Sequence, residues 1–188
     1  MIDLTIDIAH VEQSFDRIAN DLIKNHALVV NDMAFRFTEI EFYYYHKPGH
    51  EDDYTHPHQR AAGEWRFHSQ GFDLTLKGDK KTKDGGILIR GLYGPTSEND
   101  EASAAYVNGP RKVLMKIFET FGSAFEPGCI QLKEDTLWDV EVYKVFRHIP
   151  NKEIKKYLKS PYRYLVNLDY LDIPKGLKGL IKEKMVKL

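Results

Sequence analysis

The chain has 188 residues, of which 42% are hydrophobic, 29% charged and 12% aromatic. At roughly 150 residues per domain this suits a single domain over 1–188, and the apolar share excludes a wholly disordered chain. Mean hydropathy is −0.48, and no apolar run approaches the ~18 residues of a membrane-spanning helix.

The segment Met1-Ile2-Asp3-Leu4-Thr5-Ile6-Asp7 lacks the basic start of a signal peptide. Cys129 is the single cysteine, so no internal disulfide forms. Together these point to a reducing, cytoplasmic setting and no membrane partner. Net charge is −1 and unevenly spread. Residues 1–109 carry 11 basic and 18 acidic side chains, a net of −7; residues 110–188 carry 16 and 10, a net of +6. A dedicated sequence-independent DNA binder carries a stronger basic excess.

Val11 to Asn25 reads as a helix, with Phe15, Ile18, Ala19, Leu22 and Ile23 at helical spacing. Ala27 to Val30 is a short strand. Met33 to Tyr45 is the longest strand signal, with Phe35, Phe37, Glu39, Glu41 and Tyr43 on one face of a regular strand. Residues 46–64 form a polar loop after Pro48-Gly49. Trp65 to Leu76 is strand-like and broken by Gly71, Lys77 to Gly86 reads as a turn, and Gly86 to Leu92 as a compact strand. Tyr93 to Asn108 reads as a loop. Pro110 opens a helix whose stripe is Val113, Leu114, Ile117 and Phe121. Trp138 to Phe146 reads as a strand, Asn151 to Lys159 as a helix and Tyr162 to Leu168 as a last strand. The Lys-rich tail at 175–188 is a candidate amphipathic helix. The fold class expected is α+β (mixed α/β), with a curved, largely antiparallel sheet flanked by helices.

Four groupings carry possible chemistry. Glu39, Glu41 and Tyr43 place carboxylates beside a ring, where desolvation can fit a carboxylate to take a proton from water; a solvated strand face with paired charges is the alternative. Five of the eight histidines (His46, His50, His56, His58, His68) fall within 23 residues, near Glu51, Asp52 and Asp53. Imidazole with carboxylate suits zinc or iron, but no tight ligand signature is present. Arg90 interrupts the apolar run Ile87-Leu88-Ile89. A buried guanidinium needs a carboxylate such as Glu41; the alternative is an outward-facing edge position. Asn108-Gly109-Pro110-Arg111-Lys112 sets two cations at a helix start, an arrangement that can hold a phosphate. Cys129, after Pro127-Gly128, has no activating neighbour.

In order, Glu39-Ile40-Glu41-Phe42-Tyr43, Asp52-Asp53-Tyr54-Thr55-His56, Trp65-Arg66-Phe67 ending at Gly71, Ile87-Leu88-Ile89-Arg90-Gly91-Leu92 and Asn108-Gly109-Pro110-Arg111-Lys112-Val113-Leu114 resemble the methylpurine (alkyladenine, 3-methyladenine) DNA glycosylase family. Ser160-Pro161-Tyr162-Arg163-Tyr164-Leu165-Val166 extends the likeness, which covers roughly 28–168. The resemblance implies a glycosylase-like fold, base flipping from duplex DNA holding a damaged purine, and water attack at the sugar C1′. It implies Glu41 as general base, Arg90 as the residue that holds the water, and Tyr43, His56, Phe67 and Trp65 as walls of the base pocket. Gln70, Arg111 and Lys112 would meet DNA, and no metal or organic cofactor is implied. The sequence departs from the family at Gln70, where the family has a gap-filling tyrosine. Its basic segment is also reduced to Arg60 and Arg66 around Glu64. These departures keep two other readings open: action on a free nucleoside or other N-glycoside, and a non-catalytic protein that binds a nucleoside or small ligand on the same fold.

Overall fold

The computed structural model describes residues 1–96, 103–122, 124–125, 127–147, 156–167 and 185–188. Helix α1 (Val11–Asn25) is followed by β1 (His26–Val30), β2 (Met33–His46), β3 (His50–Glu51), β4 (Trp65–His68), β5 (Gly71–Thr75), β6 (Lys83–Pro95) and β7 (Ala104–Asn108). Then come α2 (Pro110–Glu119), β8 (Ile130–Glu134), β9 (Tyr143–Val145), β10 (Arg163–Leu165) and β11 (Val186–Lys187). The fold is therefore mixed, one large antiparallel sheet with two helices among the described residues.

The two long strands β2 and β6 form the spine. Across them the order runs β11-β9-β10-β2-β6-β5-β4, while β1 pairs with the start of β2 and carries β8 on its far side. The β1–β2 connection is the pair Asn31-Asp32, with Asn31 at φ 52°, a left-handed conformation that asparagine tolerates and tight hairpins demand. Helix α1 buries the face foreseen from its periodicity: Phe15, Ile18, Ala19, Leu22 and Ile23 are all at 0% exposure. Phe15 stacks on Phe42 of β2 at 4.4 Å between ring centres. Each large apolar side chain so buried contributes about 1.5–3 kcal/mol.

Several boundaries differ from expectation. Trp65 to Leu76 is a two-strand hairpin, because Gly71 sits at φ 147° and the chain reverses at Ser69-Gln70. The stretch Tyr93 to Asn108 is not all loop: β6 runs to Pro95 and β7 pairs with it, Leu92 opposite Val107. Polar residues there hid strand pairing that neighbouring backbone supplies. Lys83 to Gly86 likewise belongs to β6, opposite the end of β2. The Trp138 to Phe146 strand shrinks to Tyr143–Val145, and the Tyr162 to Leu168 strand to Arg163–Leu165. Residues 151–155 of the expected 151–159 helix lie outside the described residues; 156–159 form a turn. The tail helix lies outside them too, except that Val186–Lys187 pairs with β9 as a strand.

One irregularity decides the site. The register between β2 and β6 slips at Phe37, Glu39 and Ile40. The slip leaves Thr38 of β2 and Arg90 of β6 each without an opposite residue, so the core-facing parity changes on both strands while the pairing returns to register. Before it, odd residues Phe35 and Phe37 enter the core; after it, even residues Ile40, Phe42 and Tyr44 do. Glu39, Glu41 and Tyr43 share one face as expected, but not the face of Phe35 and Phe37. Gly91 sits opposite Glu39 at this point, and a Cβ there would lie 2.5 Å from Thr38 Oγ1 and 3.0 Å from Glu39 Cβ. Only glycine lets the strands approach this closely.

Candidate functional site

Cross-strand register gives a row on the face away from the main core: Asp73 (β5), Leu88 (β6), Glu41 (β2), Arg163 (β10) and Val145 (β9) stand directly opposite their neighbours in turn. Residues directly opposite share a side of a sheet, and consecutive residues alternate. Arg90 reaches this face from β6.

The charges form a chain. Arg90 Nε donates to Glu39 Oε1 at 2.6 Å, and its Nη1 lies 3.1 Å from Glu41 Oε2. Arg163 reaches the same Glu39 oxygen with Nε at 2.8 Å and Nη2 at 2.7 Å. The Tyr43 hydroxyl donates to Glu41 Oε1 at 2.6 Å. Glu41 and Arg163 are at 0% exposure and Glu39 at 3%. A buried pair holds only when partners offset desolvation, and here two carboxylates face two guanidiniums.

The loop after β2 adds a third pair. Arg147 Nη1 donates to Asp52 Oδ2 at 2.7 Å and to the Phe42 carbonyl at 3.2 Å, and its Nη2 donates to the Tyr157 carbonyl at 2.5 Å. The guanidinium carbon lies 4.8 Å from the centre of the Tyr43 ring, 5.6 Å from Tyr54 and 5.4 Å from Tyr162. Guanidinium over an aromatic face is an attractive electrostatic contact.

Titration follows from this packing. Burial works against the Arg90 charge, but Glu41 and then Glu39 outweigh it and raise its pKa. Burial also opposes the Arg147 charge, and the Asp52 hydrogen bond prevails. Burial, then the Glu41 charge, push the Tyr43 hydroxyl well above its ordinary value. Both arginines are therefore cations and Tyr43 a neutral donor at physiological pH.

The sequence candidates fall into groups. Glu41, Arg90 and Tyr43 are brought into contact. His56 is exposed, and its carbonyl accepts from Arg66 Nη1 at 3.0 Å. Arg66 faces Asp73 at 4.0 Å, and His68 Nε2 lies 3.3 Å from that carboxylate, so both belong to the Glu41 face. Trp65 and Phe67 do not. They pair opposite Leu74 and Phe72, core residues one step out of phase with Asp73, which puts both rings on the other side of the sheet. Phe67 stacks there on Phe72 at 5.5 Å and on Phe118 of α2 at 6.1 Å, and is 43% exposed. The expectation that Phe67 and Trp65 wall a pocket with Glu41 is thus not met in this structure, because the tight hairpin fixes their parity.

Gln70 stands at the hairpin tip, its Oε1 accepting from Arg111 Nη2 at 3.0 Å. Arg111 and Lys112 are exposed on the first turn of α2. The Gly109 amide donates to the Arg90 carbonyl at 2.8 Å, tying this helix start to the arginine's backbone. The histidines disperse. His50 places Nδ1 2.8 Å from the Tyr44 carbonyl and Nε2 2.9 Å from the Tyr162 hydroxyl, and His58 Nε2 is 2.8 Å from the Gly85 carbonyl. Both are buried structural residues. Among the described residues no three of His, Cys, Asp and Glu group as metal ligands.

Arg163, Arg147 and Asp73 carry the site without having been assigned a role from sequence. Arg163, a lone charge between Tyr162 and Tyr164-Leu165, bears the same signal as Arg90. Arg147 bears none, since its partner Asp52 is 95 residues away. Comparison with protein-family models and with curated proteins yields no match.

Proposed function

We propose that this protein is a glycosylase-like hydrolase that releases an alkylated or deaminated purine by water attack on the N-glycosidic bond. The observation that carries the reading is Glu41, a buried carboxylate held by a tyrosine hydroxyl on one oxygen and faced by an arginine on the other. Tyr43 keeps Oε1 occupied, so Oε2 is the base. A water between Oε2 and Arg90 Nη1 would replace their direct contact. Its proton passes to Oε2, its oxygen bonds to C1′, and the electron pair of the C1′–N bond leaves with the purine. A cationic alkylated base then departs as a neutral molecule, whereas a neutral one such as hypoxanthine departs as its anion and takes a proton from solvent. The fixed carboxylate also stabilises the positive charge developing on the sugar. Tyr43 supplies the stacking ring, and a flipped base reaches it from the side of Arg66 and His68.

The test is base release from duplex DNA carrying hypoxanthine, 1,N6-ethenoadenine or 3-methyladenine, comparing wild type with Glu41→Gln. Release by wild type alone supports the reading; no release by either sinks the DNA version.

A second reading, a free nucleoside as substrate or ligand, is favoured by Gln70. Its amide oxygen is committed to Arg111, and it offers no ring to fill the gap left by a flipped base. Hydrolysis or binding of 7-methylguanosine or inosine, without release from duplex DNA, selects this reading.

A further inference from the structure

The face that holds Glu41 carries a second polar group, built on the β4–β5 hairpin. Asp73 stands directly opposite Arg66 of β4 and Leu88 of β6, and Leu88 stands opposite Glu41. Asp73 and Glu41 are thus two strand spacings apart, about 10 Å. Leu88, 7% exposed, lies between them. Two residues along β6 comes Gly86, directly opposite Tyr43. The Asp73 carboxylate leans over that glycine: a Cβ built there would lie 3.2 Å from Asp73 Cβ and 3.4 Å from its Oδ2. Between Tyr43 and Asp73, β6 therefore presents only Gly86 and Leu88.

Hydrogen bonds fix how Asp73 is held. The Gln70 amide donates to His68 Nδ1 at 3.2 Å, so the ring proton sits on Nε2. Nε2 lies 3.3 Å from Asp73 Oδ1 and donates to it. Oδ2 accepts no hydrogen bond among the described residues. Arg66 stays 4.0 Å from Oδ2, and its Nη1 donates to the His56 carbonyl. One carboxylate oxygen is tied down and the other is turned toward Gly86, an open acceptor with a cation beside it. A ligand N–H on such an oxygen makes a charge-assisted hydrogen bond, whereas a ligand that covers it without one leaves it unpaired.

We propose that Asp73 reads the purine edge remote from the sugar, accepting an N–H there, and so confines the substrate to purines that carry one, hypoxanthine among them. The inference rests on the assignment of Glu41 to C1′. With the sugar at Glu41 and the ring against Tyr43, the far edge of the base reaches Asp73 across Leu88. The N1–H of hypoxanthine meets Oδ2, and the neighbouring O6 meets Arg66. 1,N6-Ethenoadenine has no N–H on that edge and leaves the carboxylate unpaired.

Binding and release test this separately. Inosine and purine riboside share one ring system, and purine riboside lacks the N1–H and O6. In NMR titrations wild type should bind inosine at least tenfold tighter, with a shift of the His68 Nε2 nitrogen resonance. Asp73→Ala should cut that ratio to under about threefold, and Phe67→Ala, across the sheet, should preserve it. In duplex DNA, the preference for releasing hypoxanthine over 1,N6-ethenoadenine should fall at least tenfold on Asp73→Ala. Equal affinity of wild type for the two nucleosides, or binding of neither, overturns the proposal without recourse to any variant. Release of both bases in a ratio that Asp73→Ala does not change also overturns it, while the role of Glu41 stands. No release, with the inosine preference intact and dependent on Asp73, upholds the edge reading and sinks the chemistry assigned to Glu41.

Discussion

Arg163 lies directly opposite Glu41 across the β2–β10 pair, yet its guanidinium binds Glu39. Glu41 is thereby left to Tyr43 and Arg90. The two carboxylates, two residues apart on one strand face, are in unlike settings. Glu39 is a bridge between two arginines through a single oxygen, whereas Glu41 keeps one oxygen that meets only the tip of Arg90.

That asymmetry makes Arg163 a stability residue. Arg163→Met removes one of two cations from Glu39 and should destabilise the fold by about 3 kcal/mol. Pairing it with Glu39→Gln should recover part of the loss, since the unpaired negative charge goes too. Urea midpoints at constant slope check this. A loss under about 0.5 kcal/mol, the size of an ordinary surface substitution, would mean that Arg90 alone suffices for Glu39.

The bulge at Thr38-Glu39 depends on Gly91. Gly91→Ala drives a methyl against Thr38 Oγ1 and Glu39 Cβ, at a cost of about 2 kcal/mol. Thr38→Ala in the same chain should restore some of it by removing the closer atom. Thermal unfolding of the three variants decides. An unchanged midpoint for Gly91→Ala would show that the strands can separate there freely.

Burial holds the His50 pKa below its ordinary value of 6.5, and the Tyr44 carbonyl and the Asp52 charge offset this only in part. The unfolded chain therefore binds a proton first as pH falls. The stability contributed by a neutral His50 is complete above pH 6.5 and is lost as pH drops through the lower folded value. Nδ1 donates to the Tyr44 carbonyl, so Nε2 accepts from Tyr162, and protonation turns that acceptor into a donor. Chemical denaturation from pH 7.5 to 5 should show a decline that His50→Phe flattens; an identical decline in both proteins would refute the assignment.

Phe67 offers a test of sidedness. Its ring is 43% exposed and lies across the sheet from Glu41. Phe67→Ala should cost no more than about 1 kcal/mol of the ~3–5 typical of a buried phenylalanine, and should leave Glu41-dependent base release unchanged. Tyr43→Phe, which frees Glu41 Oε1, should lower that release at least tenfold while keeping the ring. Loss of release in Phe67→Ala with none in Tyr43→Phe would reverse the placement.

Much of this molecule is legible in the chain because its signals are local. Helix α1 follows from the spacing of Phe15, Ile18, Leu22 and Ile23, and a lone Arg90 in an apolar run calls for a carboxylate wherever it folds. Parity is not local. Whether Glu39 shares a face with Phe37 depends on the paired slip at Thr38 and Arg90, and whether Phe67 faces Glu41 depends on where the hairpin turns. Each is settled by backbone pairing with β6 and β5, and a shift of one residue sends a side chain to the opposite face. Long-range charge pairing is equally beyond a one-dimensional reading. Nothing near Arg147 announces Asp52, and nothing near Arg163 chooses Glu39 over Glu41. Those partners are selected by distance and desolvation once the strands are in register, and tertiary packing alone decides them.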